Sequence, residues 1–367
     1  MTDSLSTELS LPEILEKLCT PEFLPGARMV QRSFADLTTL RIGGTPAAVY
    51  ECSTAEQLAE TVAELDRSGT PLLVVTATGR EAEETALALR SYLPAQDVAV
   101  MPAWETLPHE RLSPRADTVA QRLSVLRRLA HPEESGAIRV LVVPVRALLA
   151  PVIAGLGELE PVQLAPGLTV GLEETARRLE AAAYTRVDMV ESRGEYAVRG
   201  GILDLSPPGL PNPIRLDFFG DTLESIRAFD PETQRTVGQL RSLDLVPMSE
   251  VQLTTETIRR FRQGYVASFG AATRDDRLYE TVSEGRRYAG LEHWMPLFYE
   301  RLDTLFDYVS GVPILLDARA EEAAAERLAL IGDYYEARRD AAPAHHGGGA
   351  RALRRVAGPG PGPDRVG

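Results

Sequence analysis

The sequence predicts an α/β protein, built from a parallel-sheet domain, an inserted α+β domain and a disordered C-terminal tail. Three patterns carry that expectation. Residues 53 to 150 alternate helical and strand periods, the order that produces parallel strands joined by helical crossovers. From Leu172 the pattern changes to one helix and then at least four short strands up to Pro247. The last stretch, Arg338 to Gly367, is rich in Gly, Pro and Arg and has almost nothing to bury.

The elements follow from local chemistry. Ser53-Thr54 with Glu56 and Gln57 offers a capping box for a helix through Leu58, Val62 and Leu65, which Gly69 ends. Leu72 to Val75 is a short apolar run, the signature of a strand buried on both faces. A helix from Glu81 to Tyr92, a strand Asp97 to Met101, a helix Asp117 to Ala130 and a strand Ile138 to Val145 continue the alternation. After LEETARRLEAAAY and the strand-rich stretch, residues 251 to 335 return to helical periodicity. There a strand at Val312 to Leu316 and a helix from Ala318 to Tyr335 are expected to complete the first sheet.

The stretch from Gly194 to Asp221, GEYAVRGGILDLSPPGLPNPIRLDFFGD, reads as three antiparallel strands joined by Gly/Pro turns. Alternation in its last strand puts Ile214, Leu216 and Phe218 on a core face and Arg215, Asp217 and Phe219 on the other. Phe219 then either tucks beneath a neighbouring loop or is offered to a partner. Arginine beside an exposed aromatic is the pairing enriched at protein-binding hot spots.

Composition narrows the function classes. The chain has 367 residues, 44% hydrophobic and 25% charged, enough for two or three globular domains. A net charge of −14 repels a phosphate backbone and argues against an autonomous DNA-binding repair protein. The only cysteines, Cys19 and Cys52, form no CxxC pair, so neither a disulfide framework nor a zinc site is suggested. The acidic, amphipathic N-terminus and the absence of an apolar run of about 20 residues argue against secretion and membrane insertion and favour the cytoplasm.

Catalytic signatures are missing. A phosphate-binding loop needs GxxxxGK[ST] between strand and helix, whereas Thr76-Ala77-Thr78-Gly79-Arg80 has one glycine and no lysine. Arg41-Ile42-Gly43-Gly44-Thr45 is too short to wrap phosphates. His109 and the Glu133-Glu134 pair lack triad or HExxH company, and His345-His346 lie in the tail without a ligand partner at metal spacing. Trp104 follows a strand end in a Pro-flanked loop, where packing beneath the loop is its simplest role. No catalytic residue, cofactor, metal or small-molecule substrate is expected.

Several collinear strings resemble the N-terminal, UvrB-like region of the bacterial transcription-repair coupling factor family, Mfd. They are Trp104-Glu105-Thr106-Leu107-Pro108 with Leu112-Ser113-Pro114, Val142-Val143-Pro144-Val145, Tyr184 with Arg186-Val187-Asp188, and the block Gly194 to Phe219. Phe229-Asp230 with Thr233-Gln234-Arg235, and Gly290 to Phe298, extend the likeness over residues 71 to 335. The resemblance implies a degenerate, helicase-like sheet domain without ATP binding and an inserted UvrB interaction-type domain that docks onto UvrA. The family's UvrA-contacting positions fall on Arg199, Arg215 and Phe219.

The same resemblance implies that RNA polymerase and DNA are reached only through domains beyond residue 367, including an ATP-dependent translocase motor. It also implies constitutive UvrA binding where the family's masking C-terminal domain is absent. UvrB's lesion-clamping hairpin would follow the Trp104 loop, but Glu105 to Gln121 is too short for it. The composition of the tail is what a truncation or shifted reading frame would leave.

Residues 34 to 75, with Phe34 to Thr45 at their start, resemble instead the beginning of the flavin-dependent UDP-N-acetylenolpyruvoylglucosamine reductase, MurB. A reductase fragment is the alternative function. There the strand leads into a glycine-rich loop for FAD, while here acidic Glu81, Glu83 and Glu84 follow and would repel a pyrophosphate. A junction of two sequences near Pro71 to Val75 is expected, costing the coupling-factor sheet its first strand unless the foreign segment supplies a similar shape. The expected organisation is an N-terminal helix and linker (1–33), the sheet domain (34–150), the UvrA-interaction domain (151–247), the completion of the sheet domain (248–336) and the tail (337–367).

Overall fold

The computed structural model describes residues 28–30, 49–52, 62, 71–108, 110–271, 276–309 and 311–341. The expectations for the N-terminal helix, Cys19, most of the first helix, His109 and His345-His346 fall outside them. In chain order the elements begin with β1 (Arg28–Val30), β2 (Val49–Cys52), β3 (Leu72–Thr76), α1 (Gly79–Leu89), β4 (Val98–Val100), α2 (Ala116–Ala130), α3 (Pro132–Ser135), β5 (Val140–Pro144), α4 (Val145–Leu148) and β6 (Val152–Ile153). Then come β7 (Val162–Leu164), α5 (Leu172–Ala181), β8 (Thr185–Arg186), β9 (Glu195–Arg199), β10 (Ile202–Leu205), β11 (Ile214–Phe219), β12 (Thr222–Phe229), β13 (Thr236–Leu240) and β14 (Leu243–Leu245). The chain continues through α6 (Thr255–Phe269), α7 (Arg277–Ser283), α8 (Met295–Phe298), β15 (Leu302–Asp303), β16 (Ile314–Asp317) and α9 (Ala320–Ala341). Helix α9 thus continues past Tyr335 and takes in Arg338, where the sequence pattern had placed the start of the tail.

The described residues form two compact units: those within 1–103, 128–152 and 303–330 make up the first, and those within 104–127, 153–302 and 331–367 the second. The first is a six-stranded sheet in the order β1-β2-β16-β3-β5-β4, parallel except for the antiparallel edge strand β1. Strands β3 and β5 are buried along their whole length, as double-sided cover requires. Helix α1 contributes Ala82, Ala86 and Leu89 to the cluster of Val74, Val98, Val100, Val140 and Val142. The expected late strand, β16, enters the centre of this sheet between β2 and β3. Strand β2, from the reductase-like segment, pairs with β16 in parallel, so that segment supplies sheet strands.

The second unit carries the strand-rich stretch as a six-stranded sheet, ordered β13-β12-β11-β10-β9-β8 and antiparallel except for β8. Its inner face sets Tyr196, Leu203, Leu205, Ile214, Leu216, Leu223 and Ile226 against Leu179 of α5 and against Leu164, Leu243 and Leu245 of the β7–β14 pair. Burying each of the large aliphatic side chains contributes about 1.5–3 kcal/mol. A bulge at Glu224 leaves the alternation of β11 intact, because the extra residue sits in β12.

The β9–β10 turn needs both of its glycines, for different reasons. Gly200 adopts φ +62°, where a side chain is strained, and a Cβ on Gly201 would lie 2.9 Å from the Phe218 carbonyl oxygen. That close approach lets β11 lie beside the turn, with the Phe218 amide donating to the Gly201 oxygen at 2.8 Å. Gly201→Ala is expected to destabilise the domain by about 1–3 kcal/mol, with Gly238→Ala, which meets open space, close to neutral. Urea unfolding of the two variants checks this.

Candidate protein-docking face

The outer face of the second sheet is polar where the inner face is apolar. Register places Ala197, Asp204, Arg215, Arg227 and Gln239 in one row across five strands. Arg215 and Arg227 are therefore directly opposed, an arrangement that is unfavourable unless each charge is compensated. Asp204 and Asp217 supply that compensation. Arg215 donates from Nε to Asp204 Oδ1 at 2.7 Å and from Nη2 to Asp204 Oδ2 at 2.8 Å, while Arg227 makes the same fork to Asp217 at 2.8 and 2.7 Å. Bidentate arginine–carboxylate pairs fix both distance and plane.

Asp204 is 3% exposed and serves two arginines, since Arg199 Nη2 also lies 3.8 Å from its Oδ2. The guanidinium of Arg215 stacks 4.5 Å above the buried Phe229 ring and donates from Nη2 to Gln234 Oε1 at 2.8 Å. The three predicted residues thus differ in state. Arg215 is held on several sides and its side chain is 19% exposed, the Arg199 side chain is 54% exposed, and Phe219 is 77% exposed at the end of β11. Phe219 does not tuck under a loop.

Arg199 and Phe219 both lie at turn ends, beside Gly200-Gly201 and Gly220-Asp221, at the same end of the sheet's strands. With two strand spacings and two residues of rise between them, their Cα atoms are separated by roughly 12 Å. Asp204 links Arg199 to Arg215, and Phe219 marks the rim. Sequence alternation found Arg215 and Phe219, and the family likeness added Arg199. Neither found Asp204 or Gln234, because a buried carboxylate in Ile202-Leu203-Asp204-Leu205 gives no sign of which cross-strand neighbour satisfies it.

The electrostatics follow from this pairing. Hydrogen bonding to Asp204 outweighs the opposing effect of partial burial and raises the Arg215 pKa, so the guanidinium stays charged. Partial burial pushes the Asp217 carboxyl up, but the hydrogen bonds from Arg227 and Ser225 and the nearby positive charge outweigh it and hold the pKa below the usual carboxylate value.

Elsewhere the second unit buries a polar cluster that sequence reading missed. Trp104 Nε1 donates to Glu250 Oε1 at 2.9 Å, and Arg122 Nε reaches the same oxygen at 2.5 Å. Arg122 and Glu250 are fully buried, and the Trp104 indole meets His293 edge-on with centroids 5.9 Å apart. Trp104 therefore does pack, but as a hydrogen-bond donor within an ion pair. One signal was available: Arg122 lies on the apolar stripe of α2 with Val119, Leu123 and Leu126, where a charge demands a partner. Removing either partner of such a pair typically costs about 3–5 kcal/mol.

At the position where a nucleotide-binding loop would end, Thr78 caps α1 and Glu81 completes the capping box. The Glu81 carboxylate accepts the Thr78 amide at 2.9 Å, so the protein's own anion occupies that helix N-terminus. His131, Glu133 and Glu134 lie close enough together to hold a metal ion, yet both glutamates are exposed and His131 is 3.5 Å from Glu133 as an ordinary surface pair. Among the described residues no helix is long and apolar enough to cross a membrane.

The polar sheet and its inner core coincide with a family match, since residues 162–251 correspond to the UvrB interaction domain. The second sheet lies within the matched residues and is similar to a UvrB interaction domain. Beyond it, the chain is similar to the N-terminal region of transcription-repair-coupling factors. It is 38% identical over 287 residues to the factor of Mycobacterium bovis, covering 75% of this chain and 23% of that protein. It is 36% identical over 257 residues to that of Haemophilus influenzae, covering 70% and 22%, and 35% identical over 226 residues to that of Escherichia coli, covering 61% and 19%. The chain spans about a fifth of the length of these curated relatives.

The depressed pKa of Asp217 gives the UvrB interaction domain a pH dependence with a defined sign. Its contribution is present above the unfolded carboxylate value of about 3.9 and is lost as pH falls through the lower folded value. Urea midpoints are expected to drop between pH 5 and pH 2.5, and the drop is expected to be smaller in Asp217→Asn.

Proposed function

We propose that this chain recruits UvrA through the outer face of its UvrB interaction domain, as the docking part of a transcription-repair-coupling factor in nucleotide excision repair. The observation that carries the proposal is the side-by-side arrangement of an exposed arginine, a positioned arginine and an exposed phenylalanine on one sheet face. Arg199 and Arg215 present charge-assisted donors to acidic groups on the partner, and Phe219 supplies the apolar anchor. Asp204 orients Arg215 before contact, which lowers the ordering cost of association.

In this reading the chain does no chemistry of its own and works in the cytoplasm. The Glu81 carboxylate on the N-terminus of α1 supports this, because it competes with any phosphate for that position. Movement on DNA and contact with RNA polymerase belong to the whole factor. Nothing observed favours a reductase, whose resemblance over residues 34–75 falls largely outside the described part.

Binding of purified UvrA, measured by calorimetry or pull-down, tests the assignment. Arg215→Ala and Phe219→Ala are each expected to weaken binding by about 30- to 1000-fold, corresponding to roughly 2–4 kcal/mol. Undiminished binding by the folded double variant would remove this face from the interface.

A further inference from the structure

The turn between β12 and β13 is built in a way that its connecting task does not require. Gln234 adopts φ +60°, one of only two non-glycine residues with positive φ among the described residues. Such a conformation is strained for glutamine and is the position at which glycine or asparagine is favoured. The turn that holds it is tightly specified: Asp230 Oδ1 accepts the amides of Glu232 at 2.9 Å and Thr233 at 2.8 Å, and the Gln234 amide donates to the Asp230 carbonyl at 2.8 Å. Asp230 and Arg235 close the turn at 2.9 Å.

The side chain is fixed at both ends of its amide. Gln234 Nε2 donates to the Pro231 carbonyl at 2.9 Å, which turns Oε1 toward Arg215 Nη2, its donor at 2.8 Å. Asp204 holds Nε and Nη2 of the same guanidinium from the neighbouring strand, and Phe229 supports its plane from below. The fork is therefore bounded by a carboxylate, an amide and an aromatic ring. A solvent-exposed glutamine in a strained conformation gains little for the fold by itself, whereas locking an arginine plane is a use that repays the strain.

We propose that Gln234 is a positioning residue of the docking face, holding the Arg215 guanidinium in the orientation that the acidic partner group meets. The inference rests on the UvrA-docking reading for its effect on binding, but not for the geometry it asserts. Arginine recognition of carboxylates depends on this plane, so releasing one edge of the fork lowers affinity without removing the charge.

Gln234→Gly separates the positioning role from a structural one, because glycine relieves the strain at φ +60° while deleting the amide. Its melting temperature is expected to equal or exceed that of the parent. UvrA binding is expected to weaken by about 3- to 10-fold, and Gln234→Gly is expected to cause no further loss in an Arg215→Ala background. A Gln234→Gly variant that binds like the parent, or that loses the same factor in both backgrounds, overturns the proposal. If Arg215→Ala itself leaves UvrA binding unchanged, the docking reading fails, and a second readout still decides the geometry. In 15N spectra of arginine-labelled protein, the Arg215 Nη signals are expected to be resolved in the parent and averaged in Gln234→Gly; unchanged signals overturn it.

Discussion

The proposed docking face depends on the Asp204 carboxylate. It sits nearly buried on the outer side of β10, a position where an unpaired charge is costly, and it is satisfied by the two-pronged donation from Arg215. Because the pair is cross-strand, it also ties β10 to β11 at the side-chain level. Arg199 is drawn toward the same carboxylate from β9, so one acidic group organises the charged side chains of three strands. The opposed Arg227 is compensated separately by Asp217, so it makes no claim on the Asp204 carboxylate that holds Arg215.

The inner face makes this possible. Leu203, Leu205, Ile214 and Leu216 are in the core, so the register of β10 against β11 is fixed by apolar burial, and a one-residue slip would turn them to solvent. With register fixed, Asp204 can only face Arg215. The glycine turn beneath Phe218 brings the two hairpin ends to the same end of the strands, and Phe219 is left beyond the last core residue with most of its surface exposed.

Period-2 alternation made the strands, their inner face and the odd exposure of Phe219 legible, because those depend only on neighbours along the chain. Parallel order in the first sheet was legible for the same reason, through β3, β4 and β5 and their helices. The position of β16 in the middle of that sheet was not, since strand order is a long-range property. Nor was the partner of any buried charge. Asp204 with Arg215 and Arg122 with Glu250 are joined by register and tertiary packing, and no local pattern encodes either pair. The strained Gln234 escaped for a different cause: a glutamine in an Asp-Pro turn looks like ordinary surface.

In the proposed docking face a pre-set Arg215, and not positive charge alone, meets UvrA. Asp204→Asn separates the two, because it keeps the size of the side chain and every arginine while removing the carboxylate that sets the fork. With the sheet shown to be folded by its circular dichroism and amide spectra, calorimetric titration with UvrA should give an affinity close to that of Arg215→Ala. Parent-like affinity in folded Asp204→Asn would show that positive charge alone suffices and that the orientation of Arg215 does not matter.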